Sequence, residues 1–305
     1  MAVTALHTLY AVDIDDVLFD QVQSWGLDPA IAEIIQGGDG SVDPTFVAVM
    51  GQSPRLSFGT TSIATALTKS GIDGFKVTSG AVATAYFQAL AEGGTRAGTS
   101  SHLKATINEG LLLPRTLSVS RGGSPAVLTY DLIATYDGSN DPVVLLADQT
   151  LGGSPTTDAL WAEGPAVLNG TTINGVTGIT VNFGIQEIVQ GGDGQVWPTF
   201  AGIIARQPSI AIQTVDVGVI ATFGMAGAVQ SATDSVIYLR KIDQGGTRVA
   251  DVTAEHIKIT VDEGRVSCGP ITGEHGGLLG AEIRITPSYD GSNAILVIST
   301  GSAIT

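Results

Sequence analysis

The sequence predicts a mainly β protein: two tandem homologous antiparallel domains, β-sandwich or barrel-like, each with about one short helix. Three observations predict it. Glycine is abundant, at 40 of 305 residues, and the 43% hydrophobic content is rich in Val, Ile and Ala, a mixture that favours short strands joined by tight turns. A motif recurs: Gln36-Gly37-Gly38-Asp39-Gly40 with Pro44-Thr45-Phe46 returns as Gln190-Gly191-Gly192-Asp193-Gly194 with Pro198-Thr199-Phe200, offset by 154. Finally, His102–Gly110 and His256–Gly264 both alternate polar and apolar residues, as half-buried antiparallel strands do. Offsets stay between 152 and 154 along the whole copy. That spacing indicates duplication of a complete domain, not a short-period solenoid.

The expected domains are residues 1–150 and 165–305. A linker at 151–164, rich in Gly, Ser, Thr and Pro, joins them; Trp161 within it suggests a docked portion. Leu9–Trp25 reads as helix or strand, because Ile14, Leu18, Val22 and Trp25 fit one helical face. Its counterpart, Ile173–Phe183, favours strands and a turn. The segments ending at Gln36 and Gln190 read as strands entering Gly-rich hairpin turns, with Asp39-Gly40 and Asp193-Gly194 as the turn dipeptides. Strands follow at Phe46–Met50 and Phe200–Ala205, then at Leu56–Phe58 and Ile210–Ile212 after Pro54 and Pro208. Thr61 or Ser62 can cap a helix that Gly71 ends. In copy two, Thr214–Ile220 is the weaker equivalent, with Asp216 in its first turn and Gly218 opposing it.

Copy one continues through Ala81–Leu90 into Glu92-Gly93-Gly94-Thr95-Arg96, and copy two through Ser235–Ile242 into Gln244-Gly245-Gly246-Thr247-Arg248. Each copy closes on an Asp-Gly-Ser-Asn turn, Asp137–Asn140 and Asp290–Asn293, and a short strand.

The net charge is −15, divided as −8 for residues 1–150 and −7 for 151–305. An evenly acidic surface repels nucleic acid, since phosphate binding needs clustered Lys and Arg. One cysteine, Cys268, excludes an intrachain disulfide. No apolar run reaches 18 residues, so no membrane span is expected. Met1-Ala2-Val3-Thr4 lacks the basic and apolar regions of a signal peptide, which implies synthesis in the cytoplasm.

No catalytic, cofactor or metal residues are assigned, and no cofactor is implied. His102 and His256 correspond between copies, but Glu109 and Glu263 fall at the far end of the same strands and on the opposite face. The two histidines are therefore expected at the surface or in an interface. His7 and His275 have no such counterparts. The Gly-Gly-Asp-Gly loops fit neither calcium-loop templates nor a P-loop. Asp13, Asp15 and Asp16 read as a solvated turn. No Gly-x-Ser-x-Gly elbow occurs.

The combination of a strand into the repeated Asp-Gly turn, Pro-x-Phe, a strand after Pro, a Thr-capped short helix and long strands ending in Tyr-Asp-Gly resembles the tail tube (major tail) proteins of tailed bacteriophages. The resemblance spans both copies. It implies sheets joined edge to edge into rings, stacked as a tube in the virion tail. DNA would pass along an acidic lining without specific binding. Other virion tail proteins would be partners. Because single-domain members form hexameric rings, two copies in one chain imply trimers with pseudo-sixfold symmetry. Copy two has Trp197 where copy one has Asp43, and Arg240-Lys241 where copy one has Gln88-Ala89, which implies two alternating kinds of interface. Alternatives sharing this composition are a capsid decoration, tail terminator or baseplate protein, and a tandem β-sandwich that binds a ligand such as a sugar. Only 6% of residues are aromatic, which disfavours a sugar site.

Overall fold

Strands carry almost all of the regular structure in the computed structural model. It describes residues 6–305 apart from 39, 41, 92, 95, 97–100, 157–158, 193, 231–233 and 276. The first half runs β1 (Leu6–Ile14), β2 (Val17–Phe19), β3 (Val22–Asp28), β4 (Ile31–Gln36), β5 (Phe46–Gln52), β6 (Arg55–Thr60), α1 (Ile63–Ser70), β7 (Phe75–Val77), β8 (Ala83–Leu90), β9 (His102–Ile107), β10 (Gly110–Ser120), β11 (Val127–Ala134) and β12 (Val144–Gln149). The second half runs β13 (Ala159–Leu168), β14 (Thr171–Ile173), β15 (Val176–Asn182), β16 (Ile185–Gly191), β17 (Pro198–Arg206), β18 (Ser209–Thr214), a 3-10 turn (Val217–Val219), α2 (Ile220–Phe223), β19 (Ala228–Gln230), β20 (Ser235–Asp243), β21 (His256–Val261), β22 (Gly264–Thr272), β23 (Gly280–Pro287) and β24 (Val297–Ser302).

The two halves share one topology. Each has a five-stranded sheet, β12-β9-β8-β1-β2 in the first and β14-β13-β20-β21-β24 in the second. Each also has a projecting hairpin, β4-β5 or β16-β17. Register repeats residue by residue. Trp25 lies opposite Phe58 and Leu27 opposite Leu56; at an offset of 154, Ile179 lies opposite Ile212 and Val181 opposite Ile210. Such agreement follows from the period-2 pattern, because a one-residue slip would turn every core residue outward.

The remaining strands form one sheet that crosses from half to half. Its order is β19-β22-β23-β18-β15-β10-β11-β6-β3, with β7 also on β10. The crossing is the antiparallel β10–β15 pair, from Thr116 opposite Asn182 to Ser120 opposite Gly178. This sheet packs against the five-stranded sheets over a single continuous core. In the first half that core holds three rings: Tyr130 stacks on Phe58 at 5.3 Å, and Phe19 lies 5.8 Å from Tyr130. Ile173, Ile212 and Ile283 occupy the equivalent places in the second half and are equally buried.

Several expectations change. Leu9–Trp25 is strand throughout its regular parts, β1 to β3; the Ile14–Leu18 spacing spans the turn between β1 and β2. The helical spacing runs across three consecutive strands: Ile14 ends β1, Leu18 lies in β2, and Val22 and Trp25 lie in β3. The segment taken as a linker, 151–164, includes the start of β13, where Trp161 is buried and its carbonyl accepts the Ala126 N–H at 2.8 Å. The hairpin loops are longer than two residues. Asp39 and Asp193 lie outside the described residues, while Gly40 and Gly194 have φ of 75° and 76°, the left-handed region that favours glycine. Glu92 and Thr95 also lie outside them. Helix α1 starts after Ser62 and ends at Gly71, φ 60°. The Asp-Gly-Ser-Asn turns match bond for bond: Asp137 Oδ1 accepts the Ser139 and Asn140 N–H groups, and Asp290 Oδ1 those of Ser292 and Asn293, at 2.7–2.8 Å.

Ala30 is one of five described non-glycine residues in the first half with a left-handed backbone, beside Asp15, Asp16, Gln21 and Asp148. Asp28 Oδ1 accepts the Ala30 N–H at 2.8 Å, as Asn182 Oδ1 accepts that of Gly184. Ala30 has φ 43° where Gly184 has φ 59°. Ala30→Gly is expected to raise stability by about 1 kcal/mol, because relief of left-handed strain exceeds the added chain entropy. A thermal melt checks this; an unchanged or lowered melting temperature would show that the strain is absent.

Candidate assembly interface

His102 and His256 are buried inside the fold, where the surface or an interface was expected. Each Nδ1 accepts a backbone N–H from the neighbouring strand at 3.1 Å, from Ala89 and from Lys241. The imidazoles thus satisfy amides at strand ends, a role set by strand pairing that their sequence neighbours do not reveal. His256 Nε2 also meets the Ala250 carbonyl at 3.0 Å. Asp15 and Asp16 form the β1–β2 turn, whereas Asp13 is a half-buried residue of β1 and not part of a solvated turn; its Oδ1 accepts the Asp16 N–H, and Lys69 pairs with Asp15. Among the described residues, no group of three or more His, Cys, Asp or Glu could hold a metal ion. Cys268 is half-buried, and burial raises its thiol pKa. A 180 Å³ pocket is walled by Leu27, Pro29, Pro54, Pro142 and Trp197 with Asp141 as its one acid, smaller than usual ligand sites. A shallow 640 Å³ groove over the β10–β15 crossing is lined by Ser118, Ser120, Ser124, Thr177, Thr180 and Gln213, among others, with no ionisable group.

The organised polar chemistry lies where the two halves meet. Arg115 on β10 donates from Nε to Asp131 at 2.7 Å, and from both terminal nitrogens to Glu187 on β16 at 2.9 and 3.0 Å. It also donates to the Ile185 carbonyl at 3.0 Å, and Arg55 reaches Glu187 Oε1 at 2.9 Å. This fork geometry suits guanidinium and carboxylate. Hydrogen bonding from Arg115, aided by Arg55 and opposed by burial, lowers the Glu187 pKa from 4.5 to about 2. A lowered folded-state pKa contributes stability above the unfolded value and loses it as pH falls through the folded one. Glu187 should therefore support the junction above pH 4.5 and cease to near pH 2. The melting-temperature gap between wild type and Glu187→Gln should shrink across that interval; a constant gap would contradict the assignment.

A second set of contacts closes the junction nearby. The Gln52 N–H donates to the Val196 carbonyl at 2.9 Å and the Tyr136 N–H to the Pro198 carbonyl at 2.7 Å. Trp197 Nε1 donates to Gln52 Oε1 at 3.1 Å, with its ring 5.2 Å from Tyr136. The Trp197–Asp43 difference between copies therefore falls on the junction. The Arg240-Lys241 difference does not: those side chains pair with Asp251, Asp243 and Glu255 within the second half.

No protein-family model matches the chain, and no curated protein does either.

The crossing leaves two sheet edges over. β3 in the first half is equivalent to β15, and β22 in the second is equivalent to β10. β19 covers β22 only at Gly264–Val266, so the rest of β22 and β3 are the same two kinds of edge that meet inside the chain. Their exposure reflects this. Leu117, on β10, is 2% exposed, whereas its equivalent Ile271 is 42% exposed. Ile185, at the base of the second hairpin, is 6% exposed, whereas Ile31 is 49% exposed. Tyr136 is half-buried, and its equivalent Tyr289 is 66% exposed. The first hairpin also exposes Ile35, Phe46, Val47, Val49 and Met50. A two-stranded hairpin with apolar residues in water is marginal unless something covers it.

Proposed function

We propose that this chain is a structural virion protein that assembles through its sheet edges into rings, stacked as a phage tail tube. The observation that supports this best is the pair of open edges: β3 and β22 have the strand types that already join as β15 and β10. Such a head-to-tail contact builds a ring when its rotation closes and a filament when it does not. It also removes edges that would otherwise invite random pairing.

Ring size can be bounded. Eight strands per chain lie on the direct path from β3 to β22. With strands about 4.8 Å apart, tilted by about 40°, and side chains about 5 Å long, two chains leave a bore of roughly 22 Å and three leave roughly 38 Å. Duplex DNA fits the three-chain ring with room to spare, and that ring carries six domain copies, hence pseudo-sixfold symmetry. The five-stranded sheets must then lie outside, leaving the coreless face of the crossing sheet as the lining. That face holds Ser57, Ser118, Thr129, Thr180 and Gln213. Its acids Asp28, Asp131 and Glu282 are balanced by Arg55, Arg115, Arg265 and Arg284. The lining in this arrangement is hydroxyl-rich and near neutral, and the excess acid lies in the turns and on the outer sheets.

Electron microscopy of the concentrated protein tests the reading. Tubes or stacked rings with a central channel are expected. Discrete unstacked trimers would favour a decoration protein instead. Monomers that gain melting temperature with a ligand would favour a binding module.

A further inference from the structure

Resting on that assembly reading, we infer that the partner of the open edges is a second copy of this chain, held by the ion pairs Asp43–Arg206 and Glu33–Arg284 where the internal junction uses Trp197–Gln52 and the Arg115 clasp. The internal junction is the template. Repeating its register with equivalent residues places β22 of one copy against β3 of the next. Thr116–Asn182 becomes Pro270–Asp28, Leu117–Val181 becomes Ile271–Leu27, and Val119–Ile179 becomes Gly273–Trp25. The apolar steps remain apolar, and the Trp25 ring meets a residue without a side chain. Pro270 lacks an N–H, but the Thr116 N–H is directed to the Thr129 hydroxyl at 3.1 Å and not to β15. The substitution therefore costs no hydrogen bond across the junction.

The charges are complementary at both remaining contacts. Gln52 corresponds to Arg206 and Trp197 to Asp43, so a neutral hydrogen bond is replaced by opposite charges. Arg206 is held by Asp73 at 2.5 Å, with both side chains partly exposed, and is positioned to exchange partners. Glu187 corresponds to Glu33. Arg115 corresponds to Gly269, and Asp131 to Arg284, which lies opposite Ala211 as Asp131 lies opposite Ser57. The cation has moved one strand over; it pairs with Glu282, whose carboxylate lies beside Gly269, and Glu33 would add a second carboxylate to it, as Asp131 and Glu187 share Arg115. Two copies of one half could not have produced both pairs without these paired differences. The between-chain junction is thus electrostatic and salt-sensitive, whereas the internal one also has an aromatic contact and a multiply bonded clasp.

Two sets of variants test the inference in full-length protein. In a Cys268→Ser background, Leu27→Cys with Ile271→Cys should give disulfide-linked multimers upon mild oxidation, because the two positions lie on opposite edges of each chain. Arg206→Asp alone should raise the concentration needed for assembly about tenfold, as should Asp43→Arg alone; the two together should restore it. Restoration in the double variant excludes a folding defect in either single variant as the cause. If wild type forms tubes or rings but the cysteines do not cross-link between chains and the reversals have no effect, the inference fails and the assembly reading stands. If wild type stays monomeric at every concentration and salt, both fail.

Discussion

Arg115→Ala is expected to destabilise the protein by about 3 kcal/mol and to loosen the two halves. Arg115 joins Asp131 on its own sheet to Glu187 on the second hairpin, and its side chain and that of Glu187 are only 23% and 15% exposed. Removing one member of a buried ion pair costs roughly 3–5 kcal/mol because the remaining charges lose their partners; partial exposure places this case at the lower end. Two carboxylates would be left close together with Arg55 alone to balance them. Hydrogen exchange should report the loss locally, with faster exchange in β15 to β17 than in β20 and β21. Equal acceleration everywhere would show that the clasp contributes to global stability without specifically holding the junction.

Tyr130→Ala should be the more damaging core substitution, at about 4 kcal/mol, the usual range for an aromatic deleted from a packed interior. The ring contacts Phe58 and Phe19, and its hydroxyl meets Ser70 Oγ at 2.8 Å. Burial raises the Tyr130 pKa well above the usual phenol value, so the hydroxyl stays protonated. Tyr130→Phe keeps the packing and should cost only about 1 kcal/mol. Ser70 retains a bond to the Ala66 carbonyl at 3.0 Å. Denaturant unfolding of the two variants separates ring from hydroxyl. Similar losses in both would mean that the hydrogen bond, not the packing, is what matters at this site.

What the sequence revealed was mostly local. The 154-residue offset, the helix between Ser62 and Gly71, the Asp-Gly-Ser-Asn turns and the alternation of β9 and β21 depend on neighbouring residues, and all are present. Leu9–Trp25 stayed ambiguous because β2 is three residues long, too short to establish a period. His102 and His256 were misplaced because their burial is decided by strands β8 and β20, thirteen to fifteen residues away. The candidate interface was the least legible part. Arg115 and Glu187 are 72 residues apart, and nothing near either marks it as half of a pair. The signal available was comparative: charge differences between equivalent positions, among them Trp197–Asp43, Gln52–Arg206 and Arg115–Gly269, fall on the junction.

The central claim is that one chain ends in two sheet edges that fit each other. Native mass spectrometry of the assembled particle, released as single rings, tests it most directly. The account predicts a closed ring of three chains, broken down by high salt before the chains themselves unfold. A ring of six chains, or a particle whose mass is unaffected by reversing Asp43 and Arg206 singly, would contradict it.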